Sequence, residues 1–153
     1  MSENTPVSQG VFVHRYVHNL DPKKRLTIPS EWRDQVGEPP ALYLLPGIPN
    51  NCIYAYPARD FGPRLERVRS RSIADTRARQ FARSLGSRSD LVAWDGQGRI
   101  RVKDELLAYA GLVDQVVLIG ALDLIEIWSP ENWEATGSMD PASFTDAAEY
   151  VGF

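Results

Sequence analysis

Along this chain the spacing of apolar residues changes several times, and the changes recur in the same order. Residues 11–20, "VFVHRYVHNL", alternate apolar and polar positions as a half-buried strand does; "DPKK" then supplies a turn and "RLTI" continues extended. Pro29, Ser30 and Glu31 open a short helix, "SEWRDQV", with Ser30 as the expected cap and Trp32 and Val36 on its apolar side. Two strands follow, "ALYLL" and "CIYAY", separated by the Pro/Gly/Asn turn "PGIPNN". The order then returns as "LVAW", "DGQG", "RIRV", "KDELLAYAG", "VVLIG" and "IEIW", with Gly111 as a helix stop.

Laid on itself at an offset of 74, the chain puts Asp21 on Asp95, Arg25 on Arg99, Leu26 on Ile100 and Ile28 on Val102. Further on, "IYAYPARDF" falls on "IEIWSPENW" at an offset of 72, so a two-residue change in one loop separates the registers. The chain is therefore read as two copies of one supersecondary unit that complete each other's core, since neither copy alone buries enough surface. Between them, Phe61, Leu65, Val68 and then Ala74, Ala78, Phe81 and Leu85 predict two amphipathic helices interrupted near "SRS", with Arg64, Arg67 and Arg71 on one face of the first. "DPASFTDAAEYVGF" opens on an Asp-Pro helix signal. The expected organisation is a first repeat over 10–61, an Arg-rich helical connector over 62–88, a second repeat over 89–134 and a tail over 135–153 that forms a short helix.

Composition narrows the class. With 153 residues, 43% hydrophobic and 24% charged, the chain has the make-up of a soluble globular protein, and no apolar run approaches the roughly 18 residues of a membrane span. "MSENTPVSQG" carries no secretory signal, and the single cysteine, Cys52, forms no internal disulfide, which fits a reducing cytoplasm. The net charge of −3 conceals a segregation. Residues 1–58 hold five Lys/Arg and five acids, 59–88 hold nine Arg and three acids, and 89–153 hold three Lys/Arg and twelve acids. Such asymmetry points to a polyanionic partner or to head-to-tail contacts between subunits.

Enzyme signatures fail one by one. His14 and His18, four apart on a strand, lack the geometry of a helical metal pair, and Cys52 has no sequence neighbour to activate it. "DGQGR" lacks the third glycine and the lysine-serine ending of phosphate-cradling loops, so it reads as a tight turn. Asp21 and Asp95 each stand four residues before an arginine, a spacing suited to a charge-assisted hydrogen bond that holds the loop and aims the guanidinium. A small hydrolase built on either aspartate would need a nucleophile or metal constellation. No catalytic residue, cofactor, metal or small-molecule substrate is expected, nor a membrane partner.

"NLDPKKRLTIPSEWRDQV", "RARQFARSLGSRSDLVAWDGQGRI", "LLAYAGLVDQVVLIG" and "LIEIWSPENW", in that order, resemble the MraZ family, bacterial proteins built from two tandem domains of the SpoVT/AbrB type. The resemblance runs from about Gly10 to Trp133, and its distinctive element is the duplicated Asp-x-x-x-Arg. It implies an α+β fold of two AbrB-like swapped-hairpin β-barrel repeats forming a pseudo-two-fold unit, β-rich with short helices. It also implies a ring-shaped homo-oligomer, an octamer by expectation, located in the cytoplasm with the nucleoid. Such a ring binds short direct repeats in double-stranded promoter DNA to regulate the division and cell wall operon. The family's DNA-binding arginines map onto Arg25 and Arg99.

An arginine fork beside a loop suits a guanine edge in the major groove, while Lys23 and Lys24 suit phosphate; Asp21, Asp95 and Gly98 are the expected loop-stabilising residues. The chain departs from the family pattern in two places. Lys24 stands where glycine is usual, so either the first turn changes shape or Lys24 accepts a left-handed backbone at around 1 kcal/mol. Lys103 stands where the first copy has Pro29, so the second short helix needs another start, with Asp104 near its N-terminus. The nine-arginine connector is a rival DNA surface or a contact for the acidic part of a neighbour. A protein-interaction module, such as an AbrB-type antitoxin, is the alternative from another class.

Overall fold

In the computed structural model, which describes residues 10–153, the first half runs through β1 (Arg15–Asn19), β2 (Arg25–Thr27), α1 (Ser30–Val36), β3 (Ala41–Pro46) and β4 (Ile53–Pro57). The second half repeats that order as β5 (Asp90–Ala93), β6 (Arg99–Arg101), α5 (Asp104–Ala110), β7 (Gln115–Gly120) and β8 (Ile125–Trp128). The helices α2 (Ala58–Arg64), α3 (Glu66–Ser72) and α4 (Thr76–Arg88) join the halves, and the short α6 (Pro130–Asn132), a wide turn over Trp133–Gly137 and α7 (Pro141–Val151) follow β8.

The halves exchange strands. β1 pairs with β7, and its counterpart β5 pairs with β3, so each copy's first strand lies against the other copy's third. β4 and β8 pair with one another at the centre, giving an antiparallel sheet in the order β1-β7-β8-β4-β3-β5. β2 and β6 form a separate two-stranded antiparallel ribbon. The fold is thus mixed α+β, an antiparallel sheet with short helices.

The exchange brings the equivalent apolar positions of the two copies into one core. Leu26 and Ile28 of the first copy are fully buried, as are Ile100 and Val102 at the matching positions of the second. Leu42 and Val116, Leu44 and Leu118, Ile53 and Ile125, and Ala55 and Ile127 repeat the pattern, and all twelve residues belong to one continuous core. Each buried aliphatic side chain of this size contributes roughly 1.5–3 kcal/mol. Shared between the copies, that burial makes the two halves a single cooperative unit.

Three local expectations are corrected. The alternation over 11–20 does not form one strand: His14 adopts φ 82°, Phe12 makes its own bridge to Leu122, and β1 begins at Arg15. The reason is a close crossing at Gly120, where a Cβ would stand 2.5 Å from the backbone of Val13, whose carbonyl accepts the Trp32 indole N–H at 2.9 Å. Ser30 is the first residue of α1 rather than its cap; Pro29, with φ −51° and ψ 141°, sets the start and no side chain caps it. The connector breaks at Ile73–Asp75 rather than at "SRS", because Asp75 accepts from the Arg77 and Ala78 amides and caps α4. A smaller break at Leu65 also takes Arg64 off the face expected for it, to pair with Asp123 at 2.8 Å over the Tyr56 ring.

Gly120→Ala is expected to cost about 1–3 kcal/mol through the forced shift of Val13, whereas Gly96→Ala, with no atom within 4 Å of the new methyl, changes stability little. Urea titrations of the two variants measure the difference.

Candidate nucleic-acid interface

Each Asp-x-x-x-Arg loop is a hydrogen-bonded tight turn built around its aspartate. The Asp21 carboxylate accepts from the backbone amides of Lys23 at 2.9 Å and Arg25 at 2.8 Å, and from Arg25 Nε at 2.7 Å. The Asp95 carboxylate accepts from the amides of Gln97 at 2.9 Å and Arg99 at 3.0 Å, and from Arg99 Nε at 2.9 Å. Backbone bonds Lys24 N to Asp21 O and Gly98 N to Asp95 O, each 2.9 Å, close the turns. With Nε engaged, the two Nη groups of Arg25 make no hydrogen bond among the described residues, and the side chain is 29% exposed.

The β2–β6 ribbon brings the two loops of one chain side by side. Arg25 lies opposite Arg101, Leu26 opposite Ile100 and Thr27 opposite Arg99. Because strand side chains alternate, Leu26 and Ile100 enter the core and Arg25, Thr27, Arg99 and Arg101 share the other face. Arg99 Nη1 comes to 3.8 Å from Asp21 Oδ2, an ion pair between the loops. Lys23 and Lys24 are exposed beside this face.

Two residues of this region escaped the motif reading. Arg101, whose side chain is about half exposed and pairs with Asp104 at 3.6 Å, was legible from the period-two pattern of "RIRV", which puts it with Arg99. Arg33 was not legible. It donates from Nε to Ile28 O at 3.0 Å and lies against Gly98 of the other copy, where a Cβ would come within 2.7–2.9 Å of its guanidinium. Gly98 is therefore required twice, by φ +79° and by the arginine above it.

Lys24, at φ 62°, keeps the left-handed geometry of Gly98, so the first turn retains its shape and the lysine carries the strain. At the pseudo-equivalent of Arg33 stands Leu107, a shorter side chain. Lys103 replaces the helix-starting proline in extended conformation, φ −70° and ψ 153°; its Nζ donates to Ser89 O at 2.9 Å and lies 3.9 Å from Glu105. Asp104 is the first residue of α5 and caps nothing by side chain.

The remaining chemical candidates stand elsewhere. Cys52 is fully buried, and burial together with Glu126 pushes its thiol up to about 12, so it remains protonated. His18 lies in β1 opposite Val116, and among the described residues no group of three or more His, Cys, Asp or Glu is placed to hold a metal. None of the described helices is long and apolar enough to cross a membrane.

Burial raises the Asp21 carboxyl, but the amide and guanidinium of Arg25 and the amide of Lys23 outweigh it and hold the group below the usual carboxylate value. The Asp95 carboxyl is lowered first by the Arg99 amide, against a smaller burial effect, with the Gln97 amide and the Arg99 guanidinium adding to it. A carboxylate with a depressed pKa stabilises the fold above its unfolded value, near 3.9, and that contribution is lost as pH falls through the folded value. Between pH 5 and pH 2 the melting temperature of the wild type should therefore fall more than that of Asp21→Asn/Asp95→Asn. Thermal melts across this range check it.

The geometry can be set beside known proteins. Residues 87–151 match the family described as "MraZ protein, putative antitoxin-like". A "Transcriptional regulator MraZ" of Thermomicrobium roseum is 39% identical over 129 residues, 84% of this chain and 89% of that protein. Proteins of the same name from Finegoldia magna and Lactobacillus delbrueckii subsp. bulgaricus are 32% and 35% identical over 139 residues, 91% of this chain and 95% of each of theirs. Identity at this level over nearly the whole of both chains, with the duplicated loop inside the aligned span, makes this chain a member of the MraZ family.

Proposed function

We propose that this protein is a sequence-specific DNA-binding transcriptional regulator whose β2–β6 ribbon enters the major groove. The observation that carries the reading is the pairing of the two strands, which sets three arginines on the face of the ribbon turned away from the core, Arg25 and Arg99 half-buried and Arg101 exposed. The major groove, about 12 Å wide, admits such a ribbon, and a guanidinium offering two N–H donors can bond guanine O6 and N7 together. Both Nη groups of Arg25 are without a hydrogen bond among the described residues, and Arg99 would exchange its 3.8 Å approach to Asp21 for the base. Arg25 and Arg99 read bases in this account. Asp21, Asp95 and Gly98 hold the loops in shape, and Lys23 and Lys24 bind phosphate and set register. The names of the relatives, transcriptional regulators rather than enzymes, support it.

The target is short direct repeats in the promoter of the division and cell wall operon, approached at the nucleoid by a ring of subunits, with eight as the expected number. A ring presents the same ribbon many times, so repeated sites raise affinity through effective concentration even where each contact is weak. The net charge of −3 is no obstacle, since contact needs local basic loops and an acidic remainder discourages wrapping of unrelated DNA. Within this account the chain comprises repeats at 10–61 and 89–134, related as swapped-hairpin barrels, with the connector at 62–88 and the tail at 135–153; the exchange of β1 and β5 supports that description. The second reading, an interaction module of the antitoxin kind, draws on the family description and on a helical tail that buries none of its residues.

Titration of the purified protein against its own upstream region and a scrambled duplex, at two salt concentrations, separates the readings. Arg25→Ala and Arg99→Ala should each weaken specific binding by roughly 1–3 kcal/mol with oligomer size unchanged. Promoter binding that survives in the double variant would remove the ribbon from the account. No preference for the promoter in the wild type would favour the interaction module.

Lys24→Gly should weaken binding evenly across sequences and lower the salt slope by about 1 if the lysine meets phosphate. An unchanged slope would exclude that contact.

A further inference from the structure

We propose that the groove between the connector helices and the β3–β5 edge of the sheet receives α7 of a second copy of this chain, head to tail. The inference deepens the ring reading above and rests on it. The groove measures about 570 Å³, and Tyr43, Phe61, Leu65, Ile73, Leu85 and Leu91 line it with Arg69 and Arg79 beside them. Ile73 is 83% and Leu91 53% exposed, so its apolar floor is uncovered within one chain.

α7 has the matching form. Phe144, Ala147, Ala148 and Val151 fall on one stripe of the helix, while Asp146 and Glu149 lie on the opposite side. Phe144 and Val151 are about 70% exposed, and no residue of the helix is buried. It is a stable helix by its own signals, with the Asp140 carboxylate accepting from the Ser143 amide at 2.7 Å and a proline in the first turn.

Charge complementarity and the pseudo-symmetry select the occupant. The connector segment 59–88 holds nine arginines against three acids, whereas residues 104–153 contain no lysine or arginine, so the two segments attract as whole surfaces. Asp146 and Glu149, on the side away from the apolar stripe, add to that field without meeting Arg69 or Arg79. The helices after β4 fold back on their own half, α4 packing against β3, but α7, in the corresponding place after β8, buries nothing. Its own groove is out of line: Trp133 is seated on Trp128 of β8, ring centroids 5.6 Å apart, and β4 separates β8 from the β3–β5 edge. A contact between two different surfaces leaves each added subunit one free groove and one free helix, so the chain of contacts propagates and gives a ring where the rotation per subunit closes.

Two single-cysteine additions test this in the full chain, the buried Cys52 being inert: Ala148→Cys on one preparation and Ile73→Cys on another. Mixed and mildly oxidised, they should give a disulfide-linked pair many-fold faster than either alone. Phe144→Glu should reduce particle mass by light scattering without lowering the melting temperature. A wild type of several subunits that yields no mixed pair and is unaffected by Phe144→Glu overturns the inference and leaves the ring reading standing. A monomeric wild type overturns both, and in a variant carrying Ile73→Cys and Ala148→Cys together, a disulfide within one chain overturns the inference in favour of fold-back.

Discussion

The antiparallel pairing of β2 with β6 is the contact on which both the core and the proposed surface depend. Leu26 and Ile100 face each other in the ribbon and are fully buried, and their register fixes everything on the opposite face. A slip of one residue would drive arginines into the core and leucine and isoleucine into solvent, so burial alone specifies where the arginines stand. Each ribbon strand leads into a helix whose apolar residues, Trp32 and Val36 in one copy and Leu106, Leu107 and Ala110 in the other, join the same core as the ribbon.

Beyond that register, the loops add order by local bonding. Each aspartate takes three donors from its own loop, which leaves little freedom for the arginine it grips by Nε. A side chain held in place before binding loses less entropy when it meets a base. The bond between Arg99 and Asp21, at 3.8 Å, ties one loop to the other, so the two act as one surface rather than as separate contacts. The loops still differ: the first has three consecutive cations and the second one arginine between uncharged neighbours, which suits anchoring by one and reading by both.

Much of this was legible in the sequence because the repeat is marked by residues with few alternatives: an aspartate before a turn, a left-handed position, an arginine and an alternating strand. What the pattern did not contain was partnership. β1 satisfies its period-two alternation equally well against β3 of its own copy or β7 of the other, and only the three-dimensional core distinguishes them. The break at His14 and the glycine at 120 are two sides of one crossing between segments more than a hundred residues apart, invisible to any local window. Arg33 over Gly98 is a contact of the same kind. Ser30 misled because a proline just before a helix can set its start by φ alone, without a side-chain cap.

The claim that the ribbon reads guanine in the major groove is tested most directly by replacing the guanines of the upstream repeats with 7-deazaguanine. That change removes the N7 acceptor and leaves phosphates and minor groove untouched. The account predicts that the wild type loses its preference for the repeats over a scrambled duplex while keeping its salt-dependent background. A preference that survives the substitution would contradict direct reading by Arg25 and Arg99.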